Sequence, residues 1–104
     1  MRDNEKDIDQ TAAAWEASAT VIGVRQVGEY VDGHVPGAKL IPMGQLPGRV
    51  DELDKAEPVY VTCASGNRSS AMTDFLRGAE FNAWSVAGGT NAWVQSGRAV
   101  EGGL

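Results

Sequence analysis

Val59-Tyr60-Val61-Thr62-Cys63-Ala64-Ser65-Gly66-Asn67-Arg68-Ser69 joins a β-branched apolar run to a short polar loop. Ala71, Met72, Phe75, Leu76 and Ala79 then recur at helical spacing. The stretch reads as a strand, a tight loop and a helix. The chain's one cysteine stands at the hinge between strand and loop.

That position gives the sulfur a chemistry. The first N–H groups of a helix lack partners inside it, and the helix dipole adds partial positive charge there. A loop curling toward such a start can aim several N–H donors at one anion. A thiol held there beside a guanidinium ionises more readily, because both stabilise the thiolate. Gly66 permits a backbone conformation other residues resist, and Arg68 brings a planar donor fork suited to an oxyanion. Ser69 is placed to hydrogen-bond the sulfur or cap the helix. Against this stands a plainer reading, a lone cysteine filling space at the end of a buried strand. The Ser-Gly-Asn-Arg loop and the helix behind it favour the reactive thiolate.

Outward from this stretch, 104 residues suit one domain with one core. A hydrophobic fraction of 42% with three Trp argues against global disorder. A formal net charge of −5 weighs against nucleic acid or an anionic membrane as partner. A single cysteine allows no internal disulfide, and no apolar run approaches the length of a membrane span. A cytoplasmic location is the expectation from these features. No His, Cys or carboxylate cluster has metal-ligand spacing, and Gly88-Gly89 is too bare a pair for a nucleotide loop, so neither a metal nor another cofactor is expected.

Residues 1–8 are expected to be a disordered lead-in, and 9–104 a single domain. Asp9 or Thr11 can cap a short helix carrying Trp15. Residues 20–24 read as a buried strand ending at Arg25, with Gly23 marking close backbone approach. Residues 27–31 can form a short helix, and 39–42 a short strand. Leu46, Val50 and Leu53 fall at helical spacing, with Pro47 in the first turn. Ala83-Trp84-Ser85-Val86 is the last strand, Thr90 can cap a last helix carrying Trp93 and Val94, and residues 99–104 look loose. Strands alternating with helices at this spacing predict an α/β fold, a parallel sheet covered on both faces. Ligands of such sheets sit beyond the carboxyl ends of the strands, which is where Cys63 lies.

Three segments together resemble the rhodanese family, the single-domain sulfurtransferases. Val21-Ile22-Gly23-Val24-Arg25 with Glu29-Tyr30 and Gly33-His34-Val35-Pro36-Gly37-Ala38 is similar to the family's first signature. Residues 63–69 are similar to its active-site loop, and Val86-Ala87-Gly88-Gly89 with Ala92-Trp93 to its closing signature. The resemblance implies a rhodanese-like fold, a central parallel sheet with flanking helices. It implies that Cys63 takes a sulfane sulfur from a donor such as thiosulfate as a persulfide and passes it to cyanide or a thiol. The anion cradle would then be Ala64, Ser65, Gly66, Asn67, Arg68 and Ser69, with Arg68 on the donor's oxyanion. Implied partners are a small sulfur donor, a thiol or cyanide acceptor, and a sulfur-relay protein.

Position 23 departs from the family, which usually has aspartate there. His34 is expected to be a structural hydrogen-bonding residue, Arg25 and Glu29 to enter a structural ion pair or hydrogen-bond network whose partners the sequence does not assign, and Trp84 and Trp93 to pack in the core or at its rim. Two alternatives stand beside the sulfurtransferase. One is a sulfur carrier or regulatory module of the same fold. The other is a cysteine-dependent phosphatase or arsenate reductase, whose signature has five residues between Cys and Arg where this chain has four.

Overall fold

A computed structural model describes residues 3–25, 27–63 and 67–103. Among them lie five strands, β1 (Glu5–Lys6), β2 (Thr20–Gly23), β3 (Lys39–Leu40), β4 (Val59–Thr62) and β5 (Ala83–Val86). The helices are α1 (Ile8–Glu16), α2 (Val27–Asp32), α3 (Asn67–Gly78) and α4 (Gly89–Gln95). The strands form one sheet in the order β1-β5-β4-β2-β3, every pair parallel. Register places Gly23 beside Thr62 and Val61 beside Ser85.

The alternation of strand side chains divides the core in two. Ile22, Val24, Val59, Val61, Cys63 and Ala83 pack on one face with Leu46, Leu53, Leu76 and Phe81. Val21, Tyr60 and Val86 pack on the other with Ala12, Val35, Ala38 and Trp93. The sheet is thus covered on both faces, as the near-continuous apolar strands predict. Trp93 is buried and meets Trp15 edge to face, ring centroids 5.4 Å apart. Trp15 also donates through Nε1 to the Pro36 carbonyl at 2.8 Å, so it anchors α1. Trp84 is half-buried between the Lys6 ammonium and the Arg77 guanidinium.

Several expectations are corrected. Within the expected lead-in, Glu5–Lys6 form β1 beside β5, with Ser85 N–H donating to Asn4 O and Ala87 N–H to Lys6 O. Asn4 is itself buried, its Nδ2 donating to Asp74 Oδ1 at 2.9 Å. The cap of α1 is Asp7, in a reciprocal box with Gln10. Segments Met43–Gly48 and Val50–Glu52 are 3-10 helices, closed by bonds such as Arg49 N–H to Leu46 O. Pro47, which lacks an N–H, and the flanking glycines suit these short tight turns. Leu46 and Leu53 are buried nonetheless.

The strand expected over 39–42 is shortened to Lys39–Leu40. The cap of α4 is Gly88 with φ +75°, and Thr90 lies inside the helix. A side chain at Gly88 would also bring its Cβ to 2.7 Å from Ala92 Cβ. Residues 99–103 are tied down: His34 and Glu101 exchange two backbone hydrogen bonds of 2.9 Å, Trp93 Nε1 donates to Ala99 O, and Gly103 N–H donates to Val31 O. Among the described residues no helix is long and apolar enough to cross a membrane.

Candidate functional site

β4 ends at Thr62, and the pleat decides where the next side chain points. Val59, Val61 and Cys63 face α3, so the sulfur of Cys63 is directed at that helix's first turn. There the Ser69 N–H donates to Cys63 Sγ at 3.4 Å, and Ser69 Oγ lies 3.6 Å from the sulfur. Ser69 Oγ is in turn 2.8 Å from Ser85 Oγ on β5, and Ser69 is fully buried. Cys63 is 1% exposed. Its environment has two sides, the apolar cluster containing Ile22 and Leu76, and the polar start of α3. A partly positive helix start on the polar side favours the thiolate.

The backbone of Cys63 is fixed from the opposite face. Thr90 N–H, at the start of α4, donates to the Cys63 carbonyl at 2.8 Å. Thr62 Oγ1 donates to the same carbonyl at 3.2 Å and lies 3.1 Å from Thr90 Oγ1. Gly88 allows the sharp entry that brings Thr90 there.

Arg68, one residue before Ser69 in the first turn of α3, is fixed by a second helix. Its Nη1 and Nη2 donate to Glu29 Oε1 and Oε2, both at 2.8 Å, a bidentate pair from α3 to α2. The guanidinium is held protonated even beyond its ordinary range. Hydrogen bonding to Glu29 is the main cause; burial opposes it, and attraction to Glu29 and to Cys63 adds to it. The same attraction, taken from the sulfur's side, favours the thiolate.

The sequence expectations fare unevenly here. Cys63, Arg68 and Ser69 are brought together. Asn67 is the first residue of α3, while Ala64, Ser65 and Gly66 lie outside the described residues. Glu29 turns to Arg68 rather than to Arg25, whose Nη1 donates instead to Gly33 O at 2.5 Å. His34 is buried and stacked on Tyr30, with Nδ1 2.7 Å from Tyr30 O and Nε2 3.2 Å from Glu101 Oε1. These are the bonds of a residue that ties α2 to the chain's end. Tyr30 donates to Ala38 O, and its hydroxyl is pushed above the usual range by burial and then by the Glu101 charge. Sequence reasoning missed Glu29 and Thr90 as site residues. The one available signal was topological: loops at the carboxyl ends of neighbouring parallel strands must meet. Among the described residues no three His, Cys, Asp or Glu side chains gather around a point where a metal ion could sit.

Known proteins resemble this chain in sequence and fold. Residues 6–96 match the family model described as "Rhodanese-like domain". The chain is 36% identical over 73 residues to "Putative sulfurtransferase YtwF" of Bacillus subtilis (strain 168), covering 70% of this chain and 71% of that protein. It is 37% identical over 54 residues to "Putative sulfur carrier protein YrkF" of the same organism, covering 52% of this chain. That match spans only 29% of YrkF's length. A crystal structure of a rhodanese-like domain protein from Staphylococcus aureus superposes with a TM-score of 0.86 at 30% identity, covering 97% of this chain and 99% of that one.

Proposed function

The chain belongs to the rhodanese-like family, and from that membership we propose that it is a sulfurtransferase working through a persulfide on Cys63. The observation that carries this is the sulfur of Cys63 at the carboxyl end of β4 accepting from the Ser69 N–H in the first turn of α3, next to Arg68, whose guanidinium is attracted to Cys63. The Cys63 thiolate attacks the sulfane sulfur of a small donor such as thiosulfate. A new S–S bond forms, the donor's S–S bond breaks, and sulfite leaves with the electron pair. Arg68 and the amides at the start of α3 favour the anionic thiolate and then the anionic persulfide. Cyanide or a thiol takes the outer sulfur in a second step, which predicts ping-pong kinetics. The neighbouring amides of Ala64, Ser65, Gly66 and Asn67 complete the anion cradle in this proposal.

The test is mass spectrometry after thiosulfate treatment, together with a thiosulfate-to-cyanide assay. The expected result is a gain of one sulfur atom on the wild type and none on Cys63→Ser, with thiocyanate formed by the wild type alone. Hydrolysis of an aryl phosphate without any sulfur gain would overturn the proposal in favour of a phosphatase. The likeness to a protein named as a sulfur carrier favours a second reading, relay to a protein acceptor. In that case Cys63 loads with sulfur but turns over slowly with free cyanide or small thiols.

A further inference from the structure

Glu29 is not part of the thiolate chemistry proposed above, yet it grips the residue that is. An arginine has five N–H donors, and Glu29 takes one from each Nη of Arg68, both at 2.8 Å. Cys63 draws on the same guanidinium. Both side chains of the pair are 34% exposed, so a donor in solution can meet them. The formal charges of Arg68, Glu29 and an ionised Cys63 sum to one negative charge before any donor arrives. The chain as a whole adds to this with its net −5. A dianion such as thiosulfate therefore meets an arginine already neutralised by a carboxylate. A thiol persulfide brings at most one charge on its reacting sulfur pair, and none when protonated.

We propose that Glu29 is a specificity-determining positioning residue: it fixes the Arg68 guanidinium and, by cancelling its charge, selects thiol persulfides over small dianionic sulfur donors. This rests on the sulfurtransferase reading and names its donor class. With such a donor, the Cys63 thiolate attacks the terminal sulfur of R–S–S−. A new S–S bond to that sulfur forms as the donor's own S–S bond breaks, and the thiolate R–S− leaves with the electron pair. No oxidant or reductant is required.

The experiment compares rates of Cys63 loading from thiosulfate and from the persulfide of 2-mercaptoethanol, which has no other charged group, in wild type and Glu29→Gln, read as sulfur gained by mass. Glutamine keeps an acceptor for Arg68 and removes the charge. The thiosulfate-to-persulfide rate ratio should rise about tenfold in the variant, since one negative charge beside a dianion is lost. In the wild type, thiosulfate loading should speed up with added salt, because screening weakens repulsion; this arm needs no variant to fold. An unchanged ratio in Glu29→Gln, or wild-type loading that slows with salt, overturns the assignment of Glu29 while leaving the sulfurtransferase intact. A wild type that gains sulfur from neither donor removes the sulfurtransferase reading itself, and this inference with it.

Discussion

Gly23→Asp should stabilise the protein, and the structure gives the size of the effect. Gly23 ends β2, beside Thr62 in the sheet, and a Cβ there would lie 3.7 Å from Tyr30 Cδ2 and 4.0 Å from Arg25 Cδ, ordinary van der Waals contacts. A side chain therefore fits without displacement. Replacing a strand glycine by a residue with a Cβ contributes about 0.5–1 kcal/mol through the unfolded chain's lost freedom. Arg25 is buried, and its Nε has no hydrogen-bond partner among the described residues. A donor left in that state costs about 1–3 kcal/mol. A carboxylate at position 23 extends from the Cβ toward Arg25 Cδ, to which Nε is bonded, and supplies the missing acceptor. Desolvating that carboxylate offsets part of the gain, leaving a net of about 1–2 kcal/mol. For a domain of this size that is a rise in Tm of roughly 5–10 °C. Thermal and urea unfolding of wild type, Gly23→Ala and Gly23→Asp separate the two contributions, the alanine variant reporting the backbone share alone. A Gly23→Asp Tm below that of Gly23→Ala would refute the reasoning, because the carboxylate would then cost more than it supplies to Arg25.

Arg68→Ala should lower kcat/KM for thiosulfate by roughly 10–100-fold, the usual worth of a charge-assisted hydrogen bond, while stability changes by less than about 1 kcal/mol for a pair this exposed. The rising limb of its pH–rate profile should also move to higher pH, since a thiolate deprived of its cation holds its proton longer. Removing residues 99–104 should destabilise the protein by about 2–4 kcal/mol in urea unfolding, because the buried Trp93 Nε1–H loses its acceptor and His34 loses two backbone partners. Glu52, held to about 2 from its ordinary 4.5 by hydrogen bonds from Arg49 and Lys39, stabilises the fold above pH 4.5 and ceases to do so as pH falls toward 2. The stability difference between wild type and Glu52→Gln should therefore be present at neutral pH and vanish across that window in an acid titration.

What was legible in the sequence is what repeats along it. β4, α3 and the two-sided core follow from the alternation at residues 59–63 and the helical spacing at 71–79, and those patterns also set where the cysteine sits. Three kinds of feature left no such pattern. β1 is two residues long, and its attachment runs through backbone atoms of residues 4 and 6 that any sequence possesses. The end of the chain is likewise held mainly by backbone bonds, so its composition looks loose although its geometry is not. Leu46 and Leu53 fit an α-helix by spacing, but a proline and two glycines in Met43–Gly48 favour the tighter 3-10 form. Glu29 and Arg68 lie 39 residues apart, and their pairing is settled only once β2 and β4 are neighbours.

That adjacency explains why three separated segments belong to one site. In the order β5-β4-β2, the carboxyl ends of three parallel strands lie side by side, with that of β4 in the middle. Each outer segment holds one part of the central one. The segment after β5 fixes the sulfur's main chain, through Thr90 N–H on the Cys63 carbonyl. The segment after β2 fixes the guanidinium, through Glu29 on Arg68. The thiolate stands at the end of β4 and the cation in the first turn of α3, and each has its own support. Anchoring the first from α4 and the second from α2 ties both to segments that follow the strands flanking β4. Substitutions at Thr90 or Glu29 should therefore alter the chemistry of a sulfur they need not touch.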